Sequence, residues 1–125
     1  EHFNKLAGAF GVRFTGISRN MVKNDTFEQG LVMSGNNEIF SGNYKLFVKE
    51  LSTLAITDAA LARPLVEKDG DIIMAVAKVG KGKVFVLGDP WLYNEYVDGR
   101  KLPAVYENFR AADQLARWLL TPTKK

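Results

Sequence analysis

Val79-Gly80-Lys81-Gly82-Lys83-Val84-Phe85-Val86-Leu87-Gly88-Asp89-Pro90-Trp91 is the stretch on which the fold reading turns. A Gly-Lys-Gly-Lys turn feeds an apolar run that stops at Gly-Asp-Pro. The four consecutive apolar residues Val84 to Leu87 show no polar alternation, which predicts a strand covered on both faces, as in an α/β sheet. Gly88-Asp89-Pro90 then sets a carboxylate and a turn at the C-terminal end of that strand, where open α/β sheets hold their ligand crevices. Just upstream, Asp69-Gly70 is a strong turn signal, and residues 72–87 read as a β-hairpin around Gly80-Lys81-Gly82.

Working outward, Phe3, Leu6, Ala7 and Phe10 form one stripe of an amphipathic helix that Gly11 is placed to end. Val12-Arg13-Phe14 alternates as a short strand. A helix feeding directly into a strand implies an earlier strand in a βαβ unit, so the sheet is expected to lack its first strand. The chain also opens at Glu1 inside a helix, and is therefore expected to be the C-terminal fragment of a longer chain. Thr15 to Glu38, rich in Asn, Ser, Asp and Gly, reads as a long surface excursion. Tyr44 to Ile56 holds one or two strands. Arg63-Pro64 makes Ala59 to Glu67 an edge strand or an extended connection. The clearest helix opens at Leu102-Pro103 and carries Val105, Phe109, Ala112, Ala116 and Leu119 as its apolar stripe. Its polar face pairs Asp113 with Arg117, and Pro122 stops it.

The bulk numbers bound the class. The 125 residues, 46% hydrophobic and 25% charged, describe a single α/β domain, 1–125, large enough to bury a core. No apolar run approaches the roughly 20 residues that span a bilayer, so no membrane span is expected. The charge of +3 is scattered, and without a basic face interleaved with aromatics no nucleic-acid partner is expected. Cysteine is absent, which removes disulfides, thiolate catalysis and thiolate zinc ligation.

Few residues suggest chemistry. His2, the single histidine, has no companions at ligand spacing and no serine in a nucleophile-elbow context, so it reads as a boundary residue. Gly80-Lys81-Gly82-Lys83 resembles a phosphate loop only superficially, because a strand rather than a helix follows it. The carboxylates Glu50, Glu67, Asp69, Asp71, Asp89, Glu95 and Asp98 could supply an acid/base pair only if the fold held two of them about 5–10 Å apart. The stretch 89–98 stands out. It combines the stacking surfaces of Trp91, Tyr93 and Tyr96 with the polar groups of Asp89, Asn94 and Glu95. Aromatics beside carboxylates and amides suit a sugar ring or a partner surface. The alternative is that Trp91 and Tyr93 cap the core while Asp89 and Asn94 bond turn amides. Asp89, Trp91, Tyr93, Asn94 and Glu95 are the binding candidates. No catalytic residue, metal ligand or cofactor is expected.

Several of these stretches together resemble a family. Phe3 to Ala7 followed by Phe10 to Phe14, then Asn37-Glu38-Ile39-Phe40-Ser41-Gly42, then Gly80 to Pro90, follow the order seen in class I glutamine-amidotransferase-like domains. The likeness covers most of the chain and is similar, more narrowly, to the region C-terminal to unsaturated rhamnogalacturonyl hydrolases of glycoside hydrolase families 88 and 105. The resemblance implies a three-layer, flavodoxin-like sheet with flanking helices. It also implies an accessory role in degrading pectin-derived unsaturated rhamnogalacturonan oligosaccharides, and a periplasmic or secreted setting. Those hydrolases work through an (α/α)6 barrel that this chain lacks, so their catalytic acids have no counterpart here. Amidotransferases of the superfamily use a Cys nucleophile and a His partner, and their His-Pro step is absent at Asn37-Glu38. The segment itself is therefore expected to be non-catalytic. Its expected partners are the catalytic domain of the same parent protein or a carbohydrate, with an open sheet edge offering a site for a second copy. A stand-alone binding module and, further off, a carboxylate-dependent hydrolase are the alternatives.

Overall fold

A computed structural model describes residues 2–23, 26–88 and 105–122. The elements in chain order begin with helix α1 (His2–Gly8), strand β1 (Val12–Arg19) and a 3₁₀ turn (Phe27–Gly30). Strands β2 (Leu31–Met33), β3 (Lys45–Phe47), β4 (Leu51–Ile56), β5 (Ala62–Lys68), β6 (Asp71–Val79) and β7 (Gly82–Leu87) follow, and helix α2 (Asn108–Leu120) comes last. The architecture is mixed α/β, with antiparallel pairing at the β2–β3, β4–β6, β5–β6 and β6–β7 contacts. Two compact units divide the chain, one of residues 1–17, 52–88 and 122–125, the other of 18–51 and 89–121.

The first unit is built on the sheet β1-β4-β6-β5, with β7 also paired to β6. The hairpin expected at 72–87 is present, running from Met74↔Leu87 to Val79↔Gly82. Asp69 (φ 52) and Gly70 (φ 84) make the β5–β6 turn, two successive left-handed residues as a tight hairpin requires. Pro64 lies on β5, at the end of the strand order, where a missing N–H leaves no gap in the ladder.

The strand buried on both faces is β6 rather than β7. Ile73 to Ala77 are buried in succession, whereas along Val84 to Leu87 only Val86 is. The reason is position. β6 carries β5 along one edge and both β4 and β7 along the other, so it is the central strand and the side chains of its neighbours flank its own on both sides. One face is closed by the first helix. Ala7 is buried with Val12, Leu54, Ala62, Ala75, Ala77 and Val86, and Phe10 and Phe14 pack against the same cluster. The small side chains of Ala62, Ala75 and Ala77 let the helix approach the strands closely. α1 ends at Gly8, three residues before the expected stop; Ala9 to Gly11 form turns, and Gly11 (φ 80), whose carbonyl accepts from Thr57 N at 2.8 Å, is the left-handed residue that leads into β1.

The second unit corrects three expectations. Thr15 to Glu38 is not one long excursion, because β1 continues to Arg19 and the 3₁₀ turn leads into β2, which pairs with β3 from Leu31↔Phe47 to Met33↔Lys45. The last helix does not open at Leu102-Pro103. Residues 102–104 lie outside the described part, and Val105 to Glu107 are not helical. Glu107 N instead donates to Lys45 O at 2.8 Å, and the Tyr106 ring meets Phe27 at a tilt and Phe47 edge-to-face, at centroid distances of 6.4 and 6.0 Å. Those contacts hold this stretch beside β3, with Glu107 (φ −116, ψ 39) neither helical nor extended. The buried stripe of α2 is also rotated from the expected one. Asn108, Ala111, Ala112 and Leu115 are buried, while Phe109 is 65% and Leu119 45% exposed. The Asp113–Arg117 pair does form, at 3.0 Å, as the i,i+4 spacing indicated.

Candidate functional site

The five binding candidates, Asp89, Trp91, Tyr93, Asn94 and Glu95, lie outside the described residues. The side chain of His2 does as well. What the structure does describe is the point from which the candidate stretch departs. β7 ends at Leu87, and the next residue, Gly88, accepts a hydrogen bond at its carbonyl from Ser52 N at 3.1 Å. A Cβ on Gly88 would collide with the Ser52 carbonyl oxygen, so the two backbones meet at a distance only glycine allows.

Beside that contact runs a row of hydroxyls between β1 and β4. Thr15 Oγ1 and Thr53 Oγ1 are 2.6 Å apart, Gly16 N donates to Ser52 Oγ at 3.2 Å, and Ser52 Oγ donates to Thr53 O at 3.1 Å. Polar groups packed between strands in this way make cross-strand hydrogen bonds. Sequence reading passed over them because Ser and Thr on a strand carry no spacing signal.

A second polar assembly, which sequence reading also missed, lies where the segment 34–44 meets α2. The segment fastens itself. Asn37 Oδ1 accepts from Ile39 N and Phe40 N, both at 3.0 Å, a side-chain turn of the kind Asn favours. Ser34 Oγ donates to Gly42 O at 2.9 Å and accepts from Tyr44 N at 2.8 Å, and Asn43 Oδ1 accepts from Gly35 N at 2.9 Å. Gln114 then ties it to the helix. Its Oε1 accepts from Ser41 N at 2.9 Å, and its Nε2 donates to Ser41 Oγ at 2.8 Å and to Tyr44 Oη at 2.9 Å.

Ser41 Oγ and Tyr44 Oη are themselves 3.0 Å apart, and the Arg110 guanidinium lies 5.6 Å from the centroid of the Tyr44 ring. The Ser41 hydrogen bond pulls the Tyr44 hydroxyl below the ordinary tyrosine value. Gln114 and Arg110 act in the same direction, and burial opposes them. Both amide hydrogens and the amide oxygen of Gln114 are used within the group, which makes it a clasp between helix and segment. The signal that could have found it is Gln114 itself, a long amide among charges on the polar side of α2.

Deeper in the same unit, Asn108 performs a related task. Its Oδ1 accepts from Phe47 N and its Nδ2 donates to Phe47 O, both at 2.8 Å, with the side chain buried. The amide thus pairs with β3 as a neighbouring strand residue would. Among the described residues no group of three or more His, Cys, Asp or Glu side chains is placed to hold a metal ion, and no helix is long and apolar enough to cross a membrane. Comparison with family models, curated proteins and solved structures gives no match.

Proposed function

We propose that this chain is a non-catalytic accessory domain of a carbohydrate-active hydrolase that degrades unsaturated rhamnogalacturonan oligosaccharides. In this reading the stretch around Asp89, Trp91, Tyr93, Asn94 and Glu95 is its contact surface for a sugar or for the catalytic domain of the same parent protein. The observation that carries the reading is the Gly88–Ser52 junction, which anchors the start of that aromatic and amide-rich stretch to the sheet. A contact surface gains from such anchoring, because less conformational freedom is lost on binding. The resemblance of residues 37–42 and 80–90 to amidotransferase-like domains supports the same reading, and brings with it the flavodoxin-like three-layer arrangement and the extracytoplasmic setting. The clasps built from Ser34, Asn37, Asn108 and Gln114 agree with a scaffold role, since their polar atoms fasten the chain's own backbone.

Two measurements test the proposal together. The encoding reading frame is expected to continue upstream into a helical-barrel hydrolase, and the isolated chain is expected to leave an unsaturated rhamnogalacturonan disaccharide uncleaved. Cleavage by the isolated chain overturns the proposal in favour of a carboxylate-dependent hydrolase. A frame without an upstream hydrolase, combined with saturable calorimetric sugar binding that disappears in Trp91→Ala, converts it to a stand-alone binding module.

A further inference from the structure

We infer that the end of the sheet at the β6–β7 turn, where Arg63, Lys78 and Lys83 share one face with Phe85, binds the carboxylates of an acidic polysaccharide. The strand registers bring these residues together. Lys78 and Lys83 are direct partners across β6 and β7, and Arg63, Val76 and Phe85 form one row across β5, β6 and β7. Directly opposed residues of an antiparallel pair point to one face, and so do residues two apart on a strand. Val76 and Lys78 therefore place both rows on the same face. The alternating residues Ala62, Ala75, Ala77 and Val86 are the ones buried with Ala7 of α1, so the basic rows lie on the face away from that helix. Two strand spacings and two residues of rise make a patch roughly 10 Å by 7 Å. Lys81 stands in the adjoining turn. Arg63, Lys78 and Lys81 are exposed, and Lys83 and Phe85 are half-buried.

Two features point to an anionic ligand. Lys78 against Lys83 sets like charges at directly opposed positions, with about 4.5–5.5 Å between Cβ atoms, an arrangement that weakens a strand pair. An anion bound between them turns that repulsion into attraction. The charges of this unit are also segregated along the sheet. Among its described acids, Glu67, Asp69 and Asp71 lie at the far end of the β5–β6 pair, roughly 20 Å from Lys78, and Asp58 accepts at Oδ1 from Ala60 N. Cations grouped in this way focus a positive field that draws a polyanion to one end of the sheet. The choice of a polysaccharide rests on the carbohydrate reading above and on Phe85. A flat apolar ring among cations complements a chain that carries both C–H faces and carboxylates.

Calorimetry on the full chain tests the inference, with an oligogalacturonate, its fully methyl-esterified form and a single-stranded oligonucleotide of equal charge as probes. The oligogalacturonate is expected to bind saturably, and at least tenfold more weakly when salt rises from about 0.05 to 0.5 M, as screening requires. Esterification should weaken binding by at least the same factor. Lys83→Glu replaces the repulsion with a cross-strand ion pair, so it should raise the melting temperature by about 1–4 °C while weakening binding at least tenfold. A residue that only supported the fold could not move the two readouts in those directions. Lys5→Glu makes the same change of net charge on α1 and should leave binding within twofold. No binding by the wild-type chain overturns the inference, as does equal binding of the esterified probe, an equal loss in Lys5→Glu, or tighter binding of the oligonucleotide. Failure of the accessory-domain reading shows separately, in the reading frame and the cleavage assay, neither of which involves this patch. Absence of binding by a chain that does follow a hydrolase overturns this inference alone.

Discussion

Asn108 shows how one side chain can substitute for a strand. Its two hydrogen bonds satisfy both backbone groups of Phe47, a residue 1% exposed, and no other residue type offers a donor and an acceptor in that geometry except the longer Gln. Asn108→Ala is therefore expected to leave a buried N–H and a buried C=O without partners, at a cost of roughly 2–4 kcal/mol measured by denaturant unfolding. Asn108→Asp keeps the bond from Phe47 N but sets a carboxylate oxygen against Phe47 O. Its loss should be larger at neutral pH than in acid, where the protonated acid can donate. The tyrosines give a second residue-scale test. Tyr44 is held below the ordinary value, while burial, aided by the Glu28 charge, raises Tyr106 above it. In an absorbance titration Tyr44 should ionise before the ordinary tyrosine range and Tyr106 after it, with the early component missing in Tyr44→Phe. The stability effects have opposite signs. Between its folded and unfolded values Tyr44 releases its proton first in the folded chain, so it adds stability as pH rises through that window. Tyr106 keeps its proton longer in the folded chain, so its contribution is lost as pH climbs above the unfolded value toward the folded one.

At the scale of elements, the same substitution has opposite signs at two glycines. Gly88→Ala forces the end of β7 away from the Ser52 backbone and is expected to destabilise the protein by about 1–3 kcal/mol, as overpacking does. Gly8 closes α1 with no atom within 4 Å of where its Cβ would stand. Gly8→Ala is therefore expected to stabilise by about 0.5 kcal/mol, and thermal unfolding of the pair checks both signs. The hairpin at 72–87, the edge placement of Pro64 and the left-handed turn at Gly11 were legible in sequence because each depends on neighbours in the chain: turn chemistry, a missing N–H, a left-handed φ. The strand with both faces buried was not. Val84 to Leu87 drew the reading because it leads into Gly-Asp-Pro, yet burial went to Ile73–Ala77, which sits in the longer apolar run Ile72–Ala77 and is the strand flanked by paired strands on both edges. The same limit applied to α2. Phe109 and Leu119 fit a helical stripe, but the side facing β3 was chosen by the Asn108 amide and the small Ala111 and Ala112, which apolar periodicity ranks low.

At the scale of the whole molecule, the two units meet different demands. The first is a helix laid on an antiparallel sheet, and the second is a short strand pair held to a helix by amide clasps. The Trp91→Ala binding measurement belongs to this level, because it asks what the domain touches. Sequence alone determined the broad class, mixed α/β, together with the turns, the hairpin around Gly80 and the chemical character of the 89–98 stretch. These follow from local backbone preference and from the composition of the chain. Only the tertiary structure decided that β6 is central, that Gly88 rests on Ser52, and that Ser41, Tyr44 and Gln114 form one group from positions up to 73 residues apart. Contacts between such distant residues are set by which surfaces bury the most apolar area while leaving every buried polar group a partner. That condition is met by the whole chain at once, and no local window of sequence contains it.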